Sequence, residues 1–230
     1  SEIFIGNALK ELNTPREKVV IAPKVYFNPG KLSKEAIIRE CDQSLKRLQT
    51  DYLDLYQIHR FDYDTPIEET MEALNELVKS GKVRAIGASV MYAYQFHNMQ
   101  VVAKEHGWTL FSTMQNHYNL LYREDEREMI PVCNQYNVSL IPYSPLAGGH
   151  LTHLNWETDT ARSKTDNTLR KKYDSAKDND LQIIERVNQL AQKYNVSMAQ
   201  ISLAWLYKKG VASQLLELLK LITLKMLLKQ

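Results

Sequence analysis

Lys24, His59, Ser89, Gln115 with Asn116, and Tyr143 with Ser144 share one setting. Each closes a short apolar run: KVVIAPKV (18–25), YLDLYQIH (52–59), VRAIGAS (83–89), TLFSTMQN (109–116) and VSLIPYS (138–144). Histidine has an ordinary pKa near neutrality, which suits it to proton transfer. Taken alone, His59 reads as a hydrogen-bonded core histidine rather than a catalytic one. Five polar strand ends in succession carry more weight. They are what a polar site built where parallel strands end requires.

The elements between these runs have helical spacing. SKEAIIRECDQSLKRLQ (33–49) places Ala36, Ile37, Cys41, Leu45 and Leu48 on one stripe behind Ser33 as N-cap. IEETMEALNELVKS follows Thr65-Pro66, with Thr65 expected as N-cap, Pro66 at the first helical position, and Gly81 at the stop. Helices are also expected over SEIFIGNALKEL, YAYQFHNMQVVAKEHG, EREMIPVCNQYN, LQIIERVNQLAQKYN and SMAQISLAWLYKKG. Strand and helix alternate through short connections, the signature of right-handed βαβ units and a parallel sheet. No G-x-G-x-x-G follows any strand, so the dinucleotide fingerprint of the doubly wound fold is missing. The expectation is α/β, a (β/α) barrel.

Composition narrows the partners. The 230 residues are 44% hydrophobic, enough for one sizeable core. Lys plus Arg number 29 and Asp plus Glu 27, a net charge of +2. That balance argues against nucleic acid or an anionic membrane as the main partner. Cys41 and Cys133 make neither a disulfide framework nor a metal-ligand pattern. The opening residues lack a basic n-region and cleavage site, and no run is long enough to span a bilayer. A cytoplasmic setting is the default expectation.

Four stretches resemble the aldo-keto reductases, and within them the fungal aryl-alcohol dehydrogenase group. They are REKVVIAPKV, YLDLYQIHRFDYDTPIEETMEALNELVKSGKVRAIGAS, MQNHYNLLYREDEREM and IPYSPLAGGHL. The resemblance implies an NADP-dependent (β/α)8 TIM-barrel oxidoreductase that passes hydride between NADPH and an aldehyde or ketone. By that resemblance Lys24 and His59 match two of the four catalytic residues (Asp, Tyr, Lys and His). Ser89 and Gln115 match the pair that holds the nicotinamide carboxamide, and Tyr143 the aromatic residue that stacks on the cofactor. Ser144, Pro145, Leu146 and Gly148 match the stretch along the pyrophosphate. Val90 stands where many relatives have Asn. The implied partner is a small aldehyde or alcohol, and no metal is implied.

Both ends depart from the family pattern. The D-x-x-x-x-Y segment that carries the family's Asp and Tyr is not found before SEIFIGNALKEL, nor are the first two strands. The expected organisation is therefore an incomplete barrel over 1–213, lacking its first two strands and its last strand. Residues 214–230 form a leucine-rich, non-family amphipathic tail. With codons chosen to suit, a single-base deletion converts a family-type PIVGATKVDHF coding segment into QLLELLKLITL, so the tail is expected to be either out-of-frame translation or a genuine amphipathic helix suited to a partner helix or a membrane surface. Two functional expectations follow: an impaired NADP-dependent reductase, or a catalytically inactive remnant or scaffold of the same fold. The polar insertion at 150–180 is expected either to close over the cofactor or to be disordered.

Overall fold

A computed structural model of the chain describes residues 1–156 and 172–215. The middle of the polar insertion and nearly all of the expected tail lie outside the described residues. Five parallel strands form one sheet in the order β1-β2-β3-β4-β5, each step through a helix, as the alternation predicts. They are β1 (Lys24–Val25), β2 (Leu53–Ile58), β3 (Val83–Ser89), β4 (Thr113–Gln115) and β5 (Ser139–Leu140). The helices are α1 (Glu2–Glu11), α2 (Lys34–Leu48), α3 (Ile67–Lys79), α4 (Ala93–Glu105), α5 (Met129–Gln135), α6 (Lys177–Tyr194) and α7 (Met198–Lys208). Among the described residues no helix is long and apolar enough to cross a membrane.

The chain divides into two compact units. The first comprises Ser1–Gln115 and Glu128–Ser139; the second, Asn116–Arg127 and Leu140–Gln230. In the first unit β2 is buried along nearly its whole length, as expected of a parallel strand covered on both faces. Leu53, Tyr56, Ile58, Met71, Ile86 and Phe96 are fully buried there. In the second unit Leu151, Trp156, Tyr173, Ile184 and Val187 make a separate apolar cluster.

Register decides what shares a face. Lys24 pairs Gln57, Gln57 pairs Gly87, and Gly87 pairs Thr113. Two residues on, Ser89 pairs Gln115. Alternation puts these two rows on one face of the sheet. Gly87 is glycine for a steric reason: a Cβ there falls 2.2 Å from Thr113 Oγ1.

Several elements are shorter than the apolar runs predict. Only Lys24 and Val25 of KVVIAPKV are strand, because Pro23 has no N–H to give the ladder. The rest of that segment is held by side chains. Arg16 donates to Val19 O (2.9 Å), Tyr52 O (3.0 Å), Thr50 Oγ1 (3.0 Å) and Asp54 Oδ2 (2.6 Å). Asp54 Oδ2 also accepts the Ile21 N–H at 3.0 Å. Proline limits β5 likewise: the strand stops at Leu140, before Pro142. Tyr143 makes only an isolated parallel bridge with His117.

Ser33 caps α2 as expected, accepting from Ala36 N. Thr65 does not cap α3. Its hydroxyl donates to the buried Asp62 Oδ2 at 2.7 Å, Pro66 takes the cap position with ψ 140, and Ile67 begins the helix. Asp62 recruits Thr65 because it already accepts Leu32 N and Asp64 N, and a third donor completes the solvation of a buried carboxylate.

Candidate active site

In the first unit, four strand ends bring the predicted residues together. Lys24 Nζ donates to Gln115 Oε1 at 2.9 Å. Ser89 Oγ donates to the Gln115 carbonyl at 2.6 Å, and Gln115 Nε2 points to Gln57 Oε1 at 3.4 Å. Ser89 and Gln115 are buried, 1% and 5% exposed. Crowding of the Lys24 ammonium by protein lowers its pKa below the usual lysine value.

His59 follows β2, and its N–H donates to Val25 O at 2.9 Å. Its ring meets Phe27 edge-on, centroids 4.7 Å apart. Nδ1 is buried and has no hydrogen-bond partner among the described residues. Burial, then Lys24, then Arg60 push the imidazole pKa down, so the ring is neutral at physiological pH. His59 is thus neither a satisfied core histidine nor a paired one. It is a neutral imidazole beside a cation. Among the described residues, no tyrosine hydroxyl and no carboxylate hydrogen-bonds to Lys24 or His59.

The second unit holds Tyr143, Ser144, Pro145, Leu146 and Gly148. Tyr143 is half-buried, its ring parallel to His117 (5.1 Å between centroids, 10° between planes). Lys172 Nζ lies 4.7 Å from the Tyr143 ring centroid and 3.4 Å from its hydroxyl. Beyond Tyr143 the chain turns through positive φ at Ser144 (55), Ala147 (50), Gly148 (65) and Gly149 (114). The two glycines keep this turn bare of side chains, as close approach to a ligand demands. Pro145 is buried and Leu146 partly so.

Three residues of these clusters escaped the sequence reading. Gln57 is a polar residue inside an apolar strand, two before His59 and therefore on its face; that spacing could have found it. His117 and Asn119 lie in NHYNLLYR, where nothing in the local pattern separates a site residue from a loop residue.

Comparison with known proteins matches this arrangement to one group. The sequence model described as "Aldo/keto reductase family" matches residues 1–224. An aldo-keto reductase of Fusarium vanettenii is 42% identical over 92% of this chain and 65% of its own length. A putative aryl-alcohol dehydrogenase of Schizosaccharomyces pombe is 43% identical over 91% of this chain and 67% of its own. The versiconal hemiacetal acetate reductase of Aspergillus parasiticus is 44% identical over 89% and 66%. The chain thus spans about two thirds of the length of these curated relatives. With its parallel α/β sheet and with relatives of this identity, the chain belongs to the aldo/keto reductase family and resembles its fungal aryl-alcohol dehydrogenase-like oxidoreductases.

Proposed function

We propose that the chain serves NADP(H)-dependent interconversion of an aldehyde or ketone and its alcohol, in the cytoplasm. The observation that carries this reading is the cluster at four successive strand ends: Lys24 bonded to Gln115, Ser89 bonded to Gln115, and neutral His59 after β2.

The residues present fit a nicotinamide cofactor. Ser89 and Gln115 retain lone pairs and an amide for a carboxamide, and Gln57 Nε2 is a buried donor with no partner among the described residues. In the second unit Tyr143 offers a half-buried aromatic ring for stacking, and Gly148 with Gly149 a left-handed glycine turn for phosphate oxygens. When bound, the cofactor supplies hydride to the carbonyl carbon. The chain's own part is electrostatic: Lys24 and an N–H of His59 stabilise the negative charge that grows on the carbonyl oxygen. A neutral imidazole donates a hydrogen bond there without becoming an acid strong enough to lose its proton outright.

A second reading, a scaffold that binds without turnover, is favoured by one observation: neither Lys24 nor His59 has a tyrosine or carboxylate partner among the described residues. The loss of NADPH absorbance with an aromatic aldehyde separates the two. Turnover that falls by about 10²–10⁴-fold in Lys24→Met and His59→Ala supports the reductase. Binding of NADPH without turnover supports the scaffold. Turnover that survives both substitutions refutes the site.

A further inference from the structure

In the second unit, the hydrogen-bond network assigns where three groups carry their protons. Leu121 N–H and Tyr122 N–H both donate to Asn119 Oδ1, each at 2.9 Å. The other end of that amide is therefore Nδ2. It donates to Ser144 O at 2.8 Å and to the Tyr173 hydroxyl oxygen at 3.0 Å. Among the described residues the acceptor within reach of the Tyr173 hydroxyl proton is His117 Nε2, 2.7 Å away. That donation, with Asn119 Nδ2 also 3.5 Å from Nε2, assigns Nε2 as the acceptor and places the His117 proton on Nδ1, an assignment made from the hydrogen-bond network. Asn119 is fully buried and Tyr173 is 2% exposed, so water does not compete for these bonds.

The imidazole so locked lies against two more rings. It is parallel to Tyr143 at 5.1 Å and to Tyr122 at 4.2 Å, and its backbone bridges that of Tyr143. Burial and the nearby Lys172 hold its pKa at about 4, so the lock persists at neutral pH. Among the described residues, Tyr122, Tyr143 and Tyr173 are the other titratable groups whose rings meet it.

We infer that His117 is a positioning residue, held by the Asn119–Tyr173 relay, which fixes the plane of the Tyr143 ring against a flat heterocyclic ligand. The inference rests on the reading above that Tyr143 stacks on nicotinamide. The relay joins three stretches distant in sequence: the turn at 119–122, Ser144 and the far end of the polar insertion. It gives that insertion's end a defined task. Removing the Tyr173 hydroxyl frees the imidazole to rotate and to take a proton, and Tyr143 loses a fixed neighbour.

The test uses the full chain and two probes, NADPH and 2′,5′-ADP, which has the adenosine end and no nicotinamide. Binding is read by protein fluorescence for the parent, Tyr173→Phe and His117→Leu. The expected result is NADPH binding weakened about 3- to 10-fold in both variants, the range of one aromatic pair. The 2′,5′-ADP affinity stays unchanged. Imidazole ¹⁵N spectra of the parent should show the Nδ1–H tautomer, and Tyr173→Phe should raise the His117 pKa. An Nε2–H tautomer overturns the inference, as does equal weakening of both probes, which marks general damage. The predicted tautomer in a chain that binds neither probe refutes the cofactor reading and the positioning role with it.

Discussion

Lys24 stands on a strand of two residues, so its placement depends on whatever else holds the segment before it. Arg16 is that holder. Arg16→Ala removes four charge-assisted bonds, one to the Asp54 carboxylate and three to neutral oxygens, with an upper range of about 1.5–3 kcal/mol each. It also removes the guanidinium from the Tyr52 ring, 4.1 Å away. Bonds in one network do not add, and the freed carbonyls reach water in this partly exposed setting. The expected loss is therefore about 3 kcal/mol, or roughly 6–12 °C in melting temperature for a chain of this size. Burial opposes ionisation of Asp54, but the Ile21 N–H and Arg16 together hold its pKa below the ordinary value. Stability from that pair is fully present above the unfolded carboxylate pKa of about 3.9 and is lost as pH falls through the folded value. The parent–variant difference should therefore shrink in strong acid. Amide hydrogen exchange supplies the local readout. The N–H groups of Leu55, Gln57 and His59 donate to Ile21, Pro23 and Val25 carbonyls, and should exchange faster in the variant than other β2 amides. A melting temperature within 2 °C of the parent refutes the argument, with ~2 °C the shift expected of at most 1 kcal/mol. So does a large drop that leaves those three amides as protected as before.

Val90 follows Ser89 with φ 28, a region that β-branched residues rarely enter and Asn tolerates. Val90→Asn should stabilise by about 1 kcal/mol in urea unfolding; destabilisation would mean that Val90 packing outweighs its backbone strain. Asp180 is 4% exposed, its Oδ2 has no partner among the described residues, and burial raises its pKa to about 6. A carboxyl whose folded pKa is raised costs stability as pH climbs from about 4 through 6. Asp180→Asn should thus stabilise by about 2 kcal/mol at pH 8 and not at pH 4; an equal effect at both would place its origin elsewhere. Burial pushes the Cys41 thiol up to about 12. It should resist a thiol reagent at pH 8 until the chain is unfolded, and immediate labelling of the native protein would contradict its burial.

The order of strands and helices was legible because burial on a parallel sheet writes itself as apolar runs of fixed length. The strand-end residues were legible for the same reason: polarity that interrupts such a run stands out at Lys24, His59, Ser89 and Gln115. What the apolar runs overstate is the ladder. Ile21 is buried and extended yet bonds through its N–H to the Asp54 side chain, a partner 33 residues away that no local pattern announces. Thr65 illustrates the same limit, its hydroxyl drawn from the expected cap by Asp62. Conversely, Ser197 and Gln200 form a reciprocal capping box at the start of α7, and the S-x-x-Q spacing was there to be read. The His117 relay depends on Tyr173, more than fifty residues along the chain, and only tertiary structure brings the two together.

The row Lys24, Gln57, Gly87, Thr113 lies directly beneath the row that holds Ser89 and Gln115, and it contains no apolar side chain. Gln57 Nε2 and Thr113 Oγ1 are both buried there without partners among the described residues. Groups of this kind cost stability, about 1–3 kcal/mol each, wherever they occur. Any optimisation that rewards stability alone, by selection or by design, therefore meets its easiest gains in the floor of the site. Replacing Gln57 with leucine and Thr113 with valine would yield a sturdier sheet and erase the polarity on which Lys24 and Gln115 rest. A sequence drifting without selection for chemistry should lose Gln57 early, so its retention in a descendant is a more sensitive mark of a working site than the survival of the fold.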